Sequence, residues 1–109
     1  MAYDEELATR LVDCLPPDPE FTEKKMFGGL CIMYRGNMCC GIVGSELMLR
    51  VGVENYADSL AQPHAREMDF TGRALNGFIY VGEEGLRDDT MLRSWIERAL
   101  AFVGSLPPK

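Results

Sequence analysis

The spacing of apolar residues changes along the chain, and each change marks an element. Over residues 3–15, Leu7, Ala8, Leu11, Val12 and Leu15 recur three and four apart, which is one face of an α-helix. Asp4, Glu5 and Glu6 suit the positive end of that helix, and Pro16-Pro17-Asp18-Pro19 stops it. A strand-like lead-in over residues 21–27 runs into Gly28-Gly29. Apolar runs follow at 30–34, 38–43 and 46–51, parted by Gly36-Asn37 and Gly44-Ser45, short punctuation of the kind that two-residue hairpin loops use. Val53, Tyr56, Ala57, Leu60 and Ala61 form a second helical stripe before Pro63. A polar turn, Asp69-Phe70-Thr71-Gly72-Arg73, precedes a strand at 77–81. The last element is a helix from Asp88 or Asp89, with Leu92, Trp95, Ile96, Ala99, Val103 and Leu106 on one face. The pattern predicts an α+β domain with a mainly antiparallel sheet, its helices packed on the sheet, in the order helix, three-strand meander, helix, one or two strands, helix.

The turns also set an expected register. With Gly36-Asn37 as the loop, Met33 lies opposite Cys40 and Tyr34 opposite Cys39. With Gly44-Ser45 as the next, Cys40 lies opposite Leu49 and Ile42 opposite Leu47. Alternation then puts Cys31, Met33, Cys40, Ile42, Leu47, Leu49 and Val51 on a core face. The opposite face carries Leu30, Ile32, Tyr34, Cys39, Val43, Met48 and Arg50. That second face is too apolar for water. Either helices are split across both sides of the sheet, or the face is covered by a partner or a second copy of the chain.

Composition narrows the function. The 109 residues carry 11 basic and 17 acidic side chains, a net charge of −6, which weighs against nonspecific binding to nucleic acid. The acidic start is unlike a signal peptide, and no apolar run approaches the ~20 residues of a membrane span, so a cytoplasmic protein is expected. Cys14, Cys31, Cys39 and Cys40 show no C-x-x-C and stand with a lone His64. Reduced, mostly buried thiols are therefore expected, with no metal and no cofactor.

Candidate chemistry is sparse. Lys24-Lys25-Met26-Phe27-Gly28-Gly29 could suggest a phosphate cradle, but its glycines open a strand and not a helix N-terminus. Gly36 and Gly41 have P-loop spacing without the Lys-Ser/Thr that must follow. The stretch reads as a hinge, with its lysines wet at a sheet edge. His64, Arg66 and Asp69 define an alternative small-ligand or catalytic site, and Lys24, Lys25 and Arg73 an alternative contact to DNA. Cys39 and Cys40, adjacent in a strand, are expected to point to opposite faces.

Several ordered stretches carry a family resemblance: Met1 to Leu7, Thr22 to Gly29, Gly36-Asn37-Met38, Arg50-Val51-Gly52, Met68 to Arg73, and Trp95 to Leu100. Together they resemble the N-terminal domain of TfoX, also called Sxy, a bacterial regulator of competence genes. The resemblance implies an α+β fold in the order α-β-β-β-α-β-β-α, which agrees with the pattern, and a bacterial, cytoplasmic protein. Full-length regulators of this family act as co-activators beside the cyclic-AMP receptor protein and carry a second, helical domain. The chain is thus expected to be a stand-alone N-terminal-type domain. No catalytic residues come with the resemblance. The expected role is that of a non-enzymatic protein-interaction module in transcription, with a transcription factor as partner and homodimerisation as a further expectation. The expected surface comprises Lys24, Lys25, Phe27, Tyr34, Met48, Arg50 and Arg73.

Overall fold

A computed structural model describes residues 3–26, 28–69 and 74–108. The chain runs α1 (Glu5–Cys14), β1 (Phe21–Met26), β2 (Gly29–Tyr34), β3 (Asn37–Val43), β4 (Glu46–Arg50), α2 (Tyr56–Leu60), β5 (Ala65–Asp69), β6 (Ala74–Val81), a 3-10 turn at Glu83–Leu86, and α3 (Asp89–Val103). The fold is α+β with one antiparallel sheet. The lead-in before Gly28 is a full strand, so four strands precede α2. With β5 and β6 they form a six-stranded sheet in the order β1-β2-β3-β4-β6-β5, with β1 and β5 at the edges.

The helices begin where side chains can satisfy their first N–H groups. Asp4 accepts from the Leu7 N–H at 3.1 Å, and Asp88 accepts from the Met91 N–H at 2.8 Å. Tyr3 lies outside α1 and forms a bridge with Gly44 instead. Asp88 is exposed and its carboxylate also faces the positive end of α3. Asp88→Ala is therefore expected to cost about 1 kcal/mol in urea unfolding, with the helix retained.

All three helices cover one face of the sheet. Leu7, Ala8, Leu11 and Cys14 of α1 and Leu92, Trp95, Ile96, Ala99 and Val103 of α3 join one buried cluster, with Tyr56 and Leu60 of α2 packed against it. The strands contribute Leu30, Ile32, Cys39, Cys40, Ile42, Leu47, Leu49, Ile79 and Val81. Arg98 of α3 ties the helical layer together by pairing with Asp58 of α2 at 2.9 Å. The Asn37 side-chain amide, buried at the end of β3, donates to the Pro107 carbonyl at 2.9 Å and holds the C-terminal segment to the sheet.

The expected register is right for β3–β4 and wrong for β2–β3. Cys40 does face Leu49 and Ile42 does face Leu47. Between β2 and β3, however, Tyr34 faces Asn37, Met33 faces Met38, and Ile32 faces Cys40. The loop is Arg35-Gly36, both at positive φ (53° and 83°), as a type I′ hairpin requires. Moving the loop by one residue shifts pairing by two and leaves the faces unchanged. The irregularity between Ile32 and Met33 adds one unpaired residue, Cys39, and that reverses them. Leu30, Ile32 and Tyr34 consequently lie under the helices, whereas Cys31 and Met33 lie on the reverse. The same bulge turns Cys39 and Cys40 toward one side, so the expectation of opposite faces is also corrected. Both thiols are fully buried in the main cluster, and the Cys39 thiol, with burial, pushes Cys40 well above the ordinary thiol range.

Candidate functional site

The reverse of the sheet is the surface most unlike ordinary solvent-facing β-structure. Its side chains follow from alternation: Cys31 and Met33 on β2, Met38 and Val43 on β3, Met48 on β4, Met68 on β5, Phe78 and Tyr80 on β6. Among the described residues, this second cluster draws on strand side chains alone. Cys31, Met48 and Met68 have at most 1 % of their surface exposed, with half-buried Met33, Met38, Val43 and Phe78 packed around them. Four of the seven methionines of the sequence lie here, so the face is built largely from unbranched, adaptable apolar side chains. Burial raises the Cys31 thiol above its ordinary range, which keeps it protonated and inert.

Cations border the cluster. The Arg66 guanidinium stands 4.7 Å from the centre of the Tyr80 ring and is gripped by both carboxylate oxygens of Glu46. That ion pair holds Arg66 charged, while burial raises the Tyr80 phenol. Arg50 lies between two rings, 5.7 Å from Phe78 and 5.5 Å from Phe102 of α3. Lys24, exposed on β1, is paired with Cys31 and so shares this side of the sheet.

The expected interaction residues divide accordingly. Met48 and Lys24 belong to the helix-free face, and Arg50 stands at its rim, where it also reaches Phe102 of α3. Lys25, paired with Leu30, belongs to the helical side, because adjacent residues of a strand alternate. Tyr34 is a correction: it packs against the helix-covered core, its ring 4.7 Å from that of Phe21. Phe27 and Arg73 lie outside the described residues. Of the alternative chemical site, His64 and Arg66 line one shallow cleft with Ser45, Glu46, Glu83 and Glu84. His64 has a left-handed φ of 72°, and its Nδ1 lies 3.9 Å from Glu84. Asp69 pairs with Ala74 at the far end of β5, and its side chain lies outside the described residues. Among the described residues no three potential ligands cluster for a metal, and no helix is long and apolar enough to cross a membrane.

Tyr34 has a structural role that alternation alone does not reveal. Its hydroxyl donates to Asp18 at 2.9 Å, and the Glu20 N–H donates to the same carboxylate. The Glu20 bond first, and Tyr34 second, lower the Asp18 pKa; the Asp18 bond raises that of Tyr34. A lowered carboxylate contributes stability above its unfolded pKa and loses it as pH falls through the folded one. A raised phenol contributes below its unfolded pKa and loses it as pH rises through the folded one. Stability from this contact is thus greatest between the carboxylate and phenol ranges. Urea midpoints recorded against pH are expected to fall less steeply at both ends in Tyr34→Phe than in the parent.

A single antiparallel sheet, helices on one side and a methionine-rich reverse define the class, a one-sided α+β domain. Within that class the chain belongs to the TfoX N-terminal domain family, which it matches over residues 13–103. No curated protein and no solved structure matches it.

Proposed function

We propose that this TfoX/Sxy-type domain is a cytoplasmic protein-interaction module in transcriptional regulation, working without catalysis or cofactor. The observation that carries the reading is the helix-free, methionine-rich sheet face bordered by Lys24, Arg50 and Arg66. Flexible thioethers fit partner surfaces of varied shape, and the cations give a docked acidic rim its orientation. Membership of the family supports transcription as the setting. Direct DNA binding through Lys24, Lys25 and Arg73 is disfavoured by the net charge of −6 and by the placement of the two lysines on opposite sides of β1.

The test is affinity capture from the native bacterium with the parent chain and with the double variant Met33→Glu/Met38→Glu. Both positions are half-buried and tolerate change better than Met48 would. The parent is expected to retain a transcription factor that, once purified, binds it directly, and the variant to bind that factor about tenfold or more weakly. Equal binding by the variant rejects the face. A strictly monomeric protein that retains no transcription component rejects the function.

A further inference from the structure

A second surface, on the helical side, has a different construction. The edge strand β1 runs beside α1, and between them lies a groove in two adjoining parts of about 290 and 360 Å³. Its apolar lining is Ala8 and Val12 from α1, Leu15 just beyond that helix, Phe21 from β1, and Leu30 and Ile32 from β2. Val12 is 37 % exposed, one of two large apolar side chains so exposed among the described residues. The charged groups on the walls are Glu5, Asp13 and Glu23, with Asp18 at one end already bonded to Tyr34. Among the described residues Glu5, Asp13 and Glu23 make no ion pair. The nearest basic group on that row is Lys25, toward the hairpin end.

The strand also presents free backbone. The Arg35 N–H donates to the Glu20 carbonyl at 3.1 Å, so even-numbered residues of this strand turn their polar backbone groups toward β2. The odd-numbered ones turn outward. The outward N–H of Phe21 is taken by the Asp18 carbonyl, which leaves both groups of Glu23 and Lys25 facing solvent beside the groove. The odd residues are also those whose side chains face the helical side. A chain added to β1 would therefore place alternate side chains into the groove while its backbone completes the sheet. With 10 residues, α1 is roughly 15 Å long, which matches about four or five residues of extended chain.

We propose that this groove binds an extended peptide segment of a partner protein as a seventh strand, and that the residues on the groove-facing side of that segment include both apolar ones and lysine or arginine. Among these groove-facing side chains, two apart along the segment, the apolar ones fill the space beside Val12 and Leu15 and the basic ones meet Glu5, Asp13 and Glu23. The site does not depend on the helix-free face, so either can fail without the other. A second copy of the chain fits it less well, because two acidic α1 faces would be brought together.

The test uses the full chain, isotope-labelled for NMR, and a probe peptide of about eight residues in which every second residue is valine or lysine in turn and the residues between them are serine. Its matched control carries glutamate in place of each lysine. The lysine peptide is expected to shift the amide signals of β1 and α1 and to slow hydrogen exchange at Glu23 and Lys25 by about tenfold or more. Nonspecific attraction to an acidic protein would not slow those two amides. The control peptide, and the lysine peptide with Glu23→Lys, are each expected to bind about tenfold more weakly. Glu23 is exposed, so the variant keeps its fold. Unchanged exchange at Glu23 and Lys25, equal binding of both peptides, shifts confined to the helix-free face, or self-association through β1 would each overturn the proposal.

Discussion

Leu49→Ala is expected to lower stability by about 2–5 kcal/mol, out of a total that for a domain of this kind is roughly 5–15 kcal/mol. Leu49 has no exposed surface and lies in the central strand β4, opposite Cys40 of β3 and Ile79 of β6. Helix α3 packs on β3 and β4, so the cavity is closed above by α3 and on both sides by strands. None of these can collapse into the space without disturbing the others. At roughly 4–8 °C per kcal/mol the midpoint of thermal unfolding should fall by some tens of degrees at the upper end. Met33→Ala provides the comparison. Met33 is only half-buried and sits on the helix-free face, so its loss should cost well under half as much. If the two variants unfold together, the division of the sheet into a helix-covered core and a second, smaller cluster on the reverse is wrong.

The second large effect concerns Gly41. A methyl group there would collide with the backbone carbonyl of Leu30 and stand 3.1 Å from the Cys31 Cα. The neighbouring strand has the reciprocal constraint, since a methyl group on Gly29 would strike the Ile42 carbonyl. Backbone is in the way at both sites, so a side-chain rotation gives no relief. Gly41→Ala is expected to cost about 1–3 kcal/mol or more, since β2 and β3 must move apart next to the bulge. Gly82→Ala is the control: its φ is −75°, nothing lies within 4 Å of the added carbon, and the change should stay within about 0.5 kcal/mol. Calorimetric midpoints of the two variants decide the matter. Equal midpoints would mean that β2 and β3 do not approach so closely.

The same close pairing explains where reading by pattern succeeds and where it stops. Helix α3 is legible because its apolar residues repeat at helical spacing and Asp88 supplies a start that needs no distant partner. The β3–β4 hairpin is legible because Gly44, at φ 61°, marks a two-residue loop with regular pairing on either side. In β2 the pattern is silent. Leu30 and Ile32 are apolar, and so are Cys31 and Met33, so either parity yields an apolar face and alternation alone cannot choose. The residue types held a weaker signal. The aliphatics Leu and Ile lie under the helices, and the adaptable methionines lie on the reverse.

The candidate sites divide in the same way. Met48 and Arg50 are placed correctly because the β4 register follows from a local turn. Tyr34 is misplaced because its face depends on an extra residue, Cys39, in the partner strand. The groove beside β1 could not be read at all, since it exists only where α1 and the sheet edge are brought together. By itself, the sequence determined the element types, the α+β class, the family and the acidic surface, all of which rest on local spacing and composition. Only the tertiary structure decided which sheet face the helices cover and which edge stays open. Those choices depend on strand register and on packing between distant segments, where a one-residue bulge reverses every side chain that follows.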